Sequence, residues 1–300
     1  MSLDHGLDIK GQANPDLFLC RIPPFRPAVV KLLHVLADEE VSVPSLVTWI
    51  GSDPALCSEI LTAANSAVYG PSHRINTIRR AVTMVGLERT KALATRVAID
   101  GMIQGIANHP AVASCWMHSR ATAVAGQWLA PLFHMHPDRA YTDGLMHDIG
   151  RLGLLLQNTS AYAALLSIAD GTDAELLEAE RVIFTIDHCE AGLWLTKTWG
   201  LPLEIQTVCS QHHTDFSQNL DEGLNVVRLA CVIAQSLGFK AAPSVRSPTF
   251  ESLLDRLPGI TRSLGGRLET LFKQIERELG RTPLLPPGYP DIQTACGQSS

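Results

Sequence analysis

Apolar residues recur along this chain at helical intervals. Val29, Val30, Leu32, Leu33 and Leu36 fall on one face of a predicted helix over 28–37. Ser42-Val43-Pro44 opens the next, which runs to about Ile50; proline is tolerated in a first helical turn because its missing N–H has no partner there anyway. Ser52-Asp53-Pro54 starts another, with Leu56, Ile60, Leu61 and Ala64 on one face and an end near Asn65-Ser66. Tyr69-Gly70-Pro71 breaks the chain. Thr77 begins a short helix that Gly86 stops, and 87–105 is long and alanine-rich, hence helical by propensity. The pattern continues with a long helix over 110–133 and a segment opened by Pro137-Asp138. Further helices are predicted over 161–169, 173–183, 187–199, 202–213, 222–237 and 259–279. Period-two alternation is absent, so no strand is predicted. The expected fold class is all-α, a bundle of roughly a dozen helices.

The ends read differently. Residues 1–21 are polar and expected to be disordered, Ile22–Pro27 (IPPFRP) is an extended entry, and 283–300 is a proline-rich tail. A proline-bearing linker at 243–248 precedes the last helix. No apolar run approaches the ~18 residues of a membrane span, and the N-terminus lacks the apolar core of a signal peptide. These features predict a soluble, cytoplasmic chain.

Composition changes the picture in three ways. A chain of 300 residues buries enough core to fold without staples. Its formal net charge of -6 lacks the cationic field that binding to phosphate backbones needs, and no basic run exceeds Arg79-Arg80, so nucleic acid is not an expected partner. The cysteine count of 7 is odd and no pair forms a CxxC, which predicts buried free thiols rather than disulfides or a zinc knuckle.

The chemistry concentrates in Tyr141–Leu156, YTDGLMHDIGRLGLLL. An adjacent His147-Asp148 stands there among apolar residues and glycines at 144, 150 and 153. Polar groups in such surroundings are costly unless paired or bound to something. Of 11 histidines, His5, His34, His73, His109, His134 and His136 lie in tails, near helix ends or alone and read as surface or structural. His118, His147, His188, His212 and His213 lie at helix interiors or ends in the second half. With Asp148 they could converge inside a bundle. Imidazole with carboxylate suits Fe, Mn or Zn, though no pair shows the i, i+4 spacing of two ligands on one helix. The alternative is a satisfied polar pair, with Asp148 accepting from His118 or Arg151. The glycines allow close helix approach or break the helix, Asn65-Ser66 caps a turn, and Trp116, Trp128, Trp194 and Trp199 read as core or lobe-interface aromatics.

The stretch 56–94, LCSEILTAANSAVYGPSHRINTIRRAVTMVGLERTKALA, resembles the signature of bacterial HDOD (HD-related output) domains. The matching pieces are Ala64–Ala67, Tyr69-Gly70, Ile75-x-Thr77-Ile78, Ala81-Val82 and Val85-Gly86. CWMHSRATA (115–123), GLMHDIGRL (144–152), ERVIFTIDHCEAG (180–192) and TWGLPLEI with His212-His213 follow in order, so the likeness spans about 22–215. The resemblance implies a degenerate relative of the HD phosphohydrolases, with His118 as the first metal-ligand histidine and His147-Asp148 as the doublet. Where those enzymes have a later aspartate, the matching position is Cys231, and its helix lacks a carboxylate. His188, His212 and His213 resemble the extra histidines of the HD-GYP branch, and Arg151 stands where many relatives carry lysine.

From that resemblance the chain is expected to comprise an HDOD domain over 22–240, with a helical lobe over 22–105 and an HD-like lobe over 110–240. A helical extension over 241–282 either packs back or serves a partner. The implied role is a non-catalytic regulatory or scaffolding module of bacterial signalling, a response-regulator output that binds a signalling protein or a small effector. Such modules often occur with receiver, GGDEF or EAL domains; the 21 residues ahead of the fold are too few for a receiver. The alternative is a metal-dependent phosphohydrolase acting on a nucleotide or cyclic dinucleotide.

Overall fold

The computed structural model of the chain describes residues 43–66, 75–214, 222–246 and 268–279. The predicted helix over 28–37, the IPPFRP entry, Tyr69, Gly70 and the two end segments lie outside the described residues.

The described residues form an all-α bundle. In chain order the helices are α1 (Val43–Gly51), α2 (Pro54–Ala64), α3 (Ile78–Val85), α4 (Leu87–Ile103) and α5 (Pro110–Leu129). Next come α6 (Pro137–Met146), α7 (Ile149–Gln157), α8 (Thr159–Ile168), α9 (Asp173–Phe184) and α10 (His188–Thr198). The chain continues with α11 (Leu203–Gln211), α12 (Glu222–Ser236) and α13 (Leu268–Leu279). Local chemistry sets their starts. The Asp53 carboxylate accepts from Ala55 N at 3.0 Å and Leu56 N at 3.1 Å, satisfying orphan donors of α2. Thr172 with Glu175, and Asp187 with Glu190, form reciprocal capping boxes at α9 and α10. His109 and His136, read as structural, cap α5 and α6 through a ring nitrogen. At the end of α2, the Asn65 side chain donates to Ile75 O and accepts from Ile75 N, both at 2.8 Å, so it ties two segments together.

Two expectations need correction. The helix predicted over 110–133 stops at Leu129 and continues as a 3-10 turn, Ala130–Phe133, because Pro131 cannot donate to the α-helical ladder. And a strand pair exists: β1 (Gly171–Thr172) pairs in parallel with β2 (Val245–Arg246). Two residues per strand are too few to show any periodicity.

Helix α5 is the axis of the second half and packs on α6, α7, α12 and α13. Glycine lets its neighbours approach closely. A Cβ on Gly144 of α6 would lie 2.6 Å from Ala123 Cα, and one on Gly150 of α7 would lie 1.8 Å from the His188 carbonyl oxygen of α10. Trp116 and Trp199 are buried, while Trp128 and Trp194 pack partly buried against the same core. The described cysteines are all free thiols, four of them buried. No helix among the described residues is long and apolar enough to cross a membrane.

Candidate functional site

The segment opened by Pro137-Asp138 folds as two helices that meet at the doublet. His147 ends α6 and Asp148 starts α7 with φ -102° and ψ 20°. This break turns both side chains into the bundle, where each is at most 2% exposed. His118 reaches them from α5, His188 from the start of α10, His212 and His213 from the end of α11, and Cys231 from α12. All seven candidate ligands therefore meet around Asp148.

The two carboxylate oxygens of Asp148 face different groups. Oδ2 accepts from Arg151 Nε at 3.0 Å and lies 3.6 Å from both His118 Nε2 and His147 Nε2. Oδ1 lies 3.2 Å from His212 Nε2 and 3.5 Å from His188 Nε2. His118 Nε2 is also 3.2 Å from His147 Nε2 and 3.5 Å from Cys231 Sγ.

Backbone carbonyls fix the tautomers on the Oδ2 side. His118 Nδ1 is 2.7 Å from Phe239 O, and His147 Nδ1 is 2.8 Å from Gly144 O. A carbonyl only accepts, so each Nδ1 carries the proton. Burial pushes the His147 imidazole down to about 3 and lowers His118 as well, so both rings are neutral near neutral pH. Two Nε2 lone pairs then point at one another at 3.2 Å, which is no hydrogen bond. A cation between them would resolve the conflict. The separations of 3.2, 3.5, 3.6 and 3.6 Å lie close to the roughly 3.3–3.8 Å donor–donor edges of a tetrahedral site with bonds of roughly 2.0–2.3 Å. His118, His147 and Cys231 thus form a donor group that fits a thiophilic transition metal, with Asp148 Oδ2 3.6 Å from both rings beside it. The thiol disfavours Mg and Mn, and burial followed by Asp148 holds it well above its usual range, so a metal must displace its proton.

On the Oδ1 side, Asp148 Oδ1, His188 Nε2 and His212 Nε2 are buried without a hydrogen bond, and with His213 they form a second group that could hold a metal ion. Glu180 of α9 accepts from His188 Nδ1 at 2.7 Å, His188 N at 2.9 Å, Tyr162 Oη at 2.6 Å and an Arg151 terminal nitrogen at 3.3 Å. Burial opposes its charge, but His188, Arg151 and Tyr162 outweigh that and hold it down to about 2. Burial and Arg151 likewise oppose a charge on His188, yet Glu180 raises it well above the ordinary imidazole range. His212 is lifted to about 9 against burial by Cys189 and Asp148. Asp148 itself is held well below the carboxylate range, Arg151 and His147 overcoming burial. Two imidazolium rings and one guanidinium therefore surround two carboxylates. His213, kept neutral by burial, stands at the edge, 3.8 Å from Asp173.

The chain beyond α12 closes this centre. Gly238 turns at φ 89°, Phe239 O accepts from His118 Nδ1, and Val245-Arg246 pairs with Gly171-Thr172. Lys240, Ala241, Ala242 and Val245 of this strap wall a narrow pocket over His118, Asp148 and Cys231. Its volume is about 10 Å³, room for roughly one water.

Sequence reasoning missed Glu180, Tyr162 and the strap. Glu180 opens the ERVIFTIDHCEAG stretch, yet a lone glutamate in an amphipathic helix looks like a solvated face. Asn65, Ser66 and Arg151 were singled out: Arg151 joins the centre, whereas Asn65 and Ser66 lie at the end of α2 and Tyr69 and Gly70 fall outside the described residues.

A model of the HDOD domain matches residues 22–215. An uncharacterized protein of Treponema pallidum (strain Nichols) is 26% identical over 201 residues, which are 64% of this chain and 37% of that one. The chain thus spans little more than a third of that relative's length. A solved signal transduction protein from Marinobacter aquaeolei VT8, provisionally so named, has a TM-score of 0.65 at 19% identity, covering 92% of this chain and 62% of that one. A provisionally named phosphohydrolase from Shewanella amazonensis SB2B has a TM-score of 0.60 at 20% identity, covering 88% and 98%. At such identities the two structures speak for a shared fold.

Proposed function

The chain belongs to the HDOD domain family, and we propose from that premise that it is a regulatory module of bacterial signal transduction. In this reading it works in the cytoplasm as an output or scaffolding domain, binds a protein partner or a small effector, and turns over no substrate. The observation that carries the reading is the closed donor set. Catalytic zinc sites keep one position open for water, whereas four protein ligands mark a structural site. Here Cys231 joins His118 and His147 as a donor, Asp148 Oδ2 lies 3.6 Å from both rings, and the strap leaves room for one water, too little for a phosphodiester.

A metal in this place would be held by His118, His147 and Cys231, with Asp148 Oδ2 beside them, and would supply fixed positive charge between opposed lone pairs. Arg151 and Glu180 orient Asp148 and His188 whether or not it is bound. The proposal keeps the division into a helical lobe over 22–105, an HD-like lobe over 110–240 and an extension over 241–282. Supporting it, α13 of the extension packs back on α5.

The test is a hydrolysis panel of nucleotides, cyclic dinucleotides and bis-p-nitrophenyl phosphate with Mn, Fe and Zn. No turnover is expected. Metal-dependent turnover that His147→Ala abolishes would overturn the reading in favour of a phosphohydrolase.

A further inference from the structure

The donors of the histidine centre are shut away from solvent. His118, His147 and Asp148 are at most 2% exposed and Cys231 is 7% exposed. The pocket that adjoins them has a volume of about 10 Å³, room for roughly one water, so a hydrated metal ion does not pass. For the donors to load or release a metal, part of the pocket wall has to move.

The walls differ in how firmly they are built. Helices α5, α7, α9 and α12 and the turn after α11 make most of them. The strap, residues 237–246, makes the rest. Its buried side chains, Ala241, Ala242 and Val245, are small, while Lys240, Pro243, Ser244 and Arg246 are exposed. It is tied to distant segments by a two-residue ladder, Gly171 with Val245 and Thr172 with Arg246. A further tie is Phe239 O, which accepts from His118 Nδ1 at 2.7 Å. At its root Gly238 sits at φ 89°, where glycine turns without strain and can act as a hinge. Segments with few buried apolar contacts open locally, at a smaller cost than unfolding the whole domain.

We propose that the strap is the gate of the metal donor group, and that metal binding and strap closure stabilise one another. Opening does two things at once. It clears the path to His118 and Cys231, and it withdraws the carbonyl that holds the His118 ring. Losing such an outer partner weakens a metal site about 10–100-fold. The converse follows by linkage. A metal on His118 Nε2 requires the proton on Nδ1, the form from which Phe239 O accepts, so occupancy favours the closed strap. The state of a buried centre thereby shows at the surface, in the position of Lys240, Pro243, Ser244 and Arg246.

The gate rests on the proposed function only in taking His118, His147 and Cys231 as a metal site. Thr172 and Arg246 are exposed register partners, and neighbouring strands lie about 4.8 Å apart, so cysteines there are within disulfide reach. The full chain carrying Thr172→Cys and Arg246→Cys is loaded with zinc, oxidised with glutathione disulfide and challenged with excess EDTA. Zinc retained after rapid gel filtration is measured by elemental analysis, with and without reduction by a phosphine. The locked strap should slow release about tenfold or more, reduction should restore the wild-type rate, and Val245→Lys should speed release about tenfold. Ile60→Val, in the core of α2 and away from the pocket lining, lowers global stability and should leave the rate unchanged. The proposal is overturned if the wild type retains no zinc, or if locked and reduced forms release it within about twofold of one another. It is also overturned if Ile60→Val speeds release as much as Val245→Lys, because global unfolding is then the route. Phosphodiester turnover, by contrast, would sink the regulatory reading and leave the gate standing.

Discussion

Glutamine at position 180 keeps the shape of the side chain and removes its charge. Glu180 is fully buried and accepts four hydrogen bonds, two from His188, one from Tyr162 and one from Arg151. Its pKa falls from 4.5 to about 2 on folding, against burial and through His188, Arg151 and Tyr162. That lowering is worth about 3 kcal/mol. Independently, removing one member of a buried ion pair costs about 3–5 kcal/mol. Glu180→Gln should therefore lose about 3–4 kcal/mol near pH 7, read by urea unfolding under far-UV circular dichroism. A group whose folded pKa is depressed stabilises above its unfolded pKa and loses that contribution as pH falls through the folded one. The gap between wild type and variant should accordingly be full above about pH 5 and narrow toward about pH 2. A loss below about 1 kcal/mol near neutral pH, or a gap that stays constant as the medium is acidified, would refute the hub role assigned to Glu180.

Gly150→Ala should cost about 3 kcal/mol, because its Cβ meets the His188 carbonyl, whereas Gly105→Ala, where a Cβ meets open space, should not destabilise; thermal melts compare the two. Cys231→Asp should restore an oxygen donor and shift metal preference from Zn toward Mn, measured by competition with a chromophoric chelator; an unchanged order would remove Cys231 from the donor set. Zinc binding to the wild type should release protons into weakly buffered solution, because the Cys231 thiol is protonated beforehand, and Cys231→Ala should release fewer. Val245→Lys should loosen the strap and speed alkylation of Cys231, followed by peptide mass spectrometry with Cys115, fully buried elsewhere, as the slow reference.

The helices were legible because their signals are local. Apolar spacing, Pro54, Pro110 and Pro137 in first turns, and caps such as Asp53 and Asp187 act within about four residues, and each shows in the string itself. Order along the chain also carried the motif likeness that picked out His118, His147-Asp148 and Cys231. Other things depended on contacts between distant segments. Cys231 and His118 are 113 positions apart and Phe239 and His118 are 121 apart; their meeting is set by helix packing at Gly144 and Gly150, which spacing cannot measure. Glu180 and Tyr162 looked like ordinary helix residues until burial made their charge and hydroxyl matter. Above all, the string shows a His-Asp doublet but not how its protons are placed. The sequence by itself determined which residues could form the centre; the tertiary structure decided that Asp148 divides them into one set with opposed lone pairs and another already charged, because only carbonyl partners and burial fix the protonation of an imidazole.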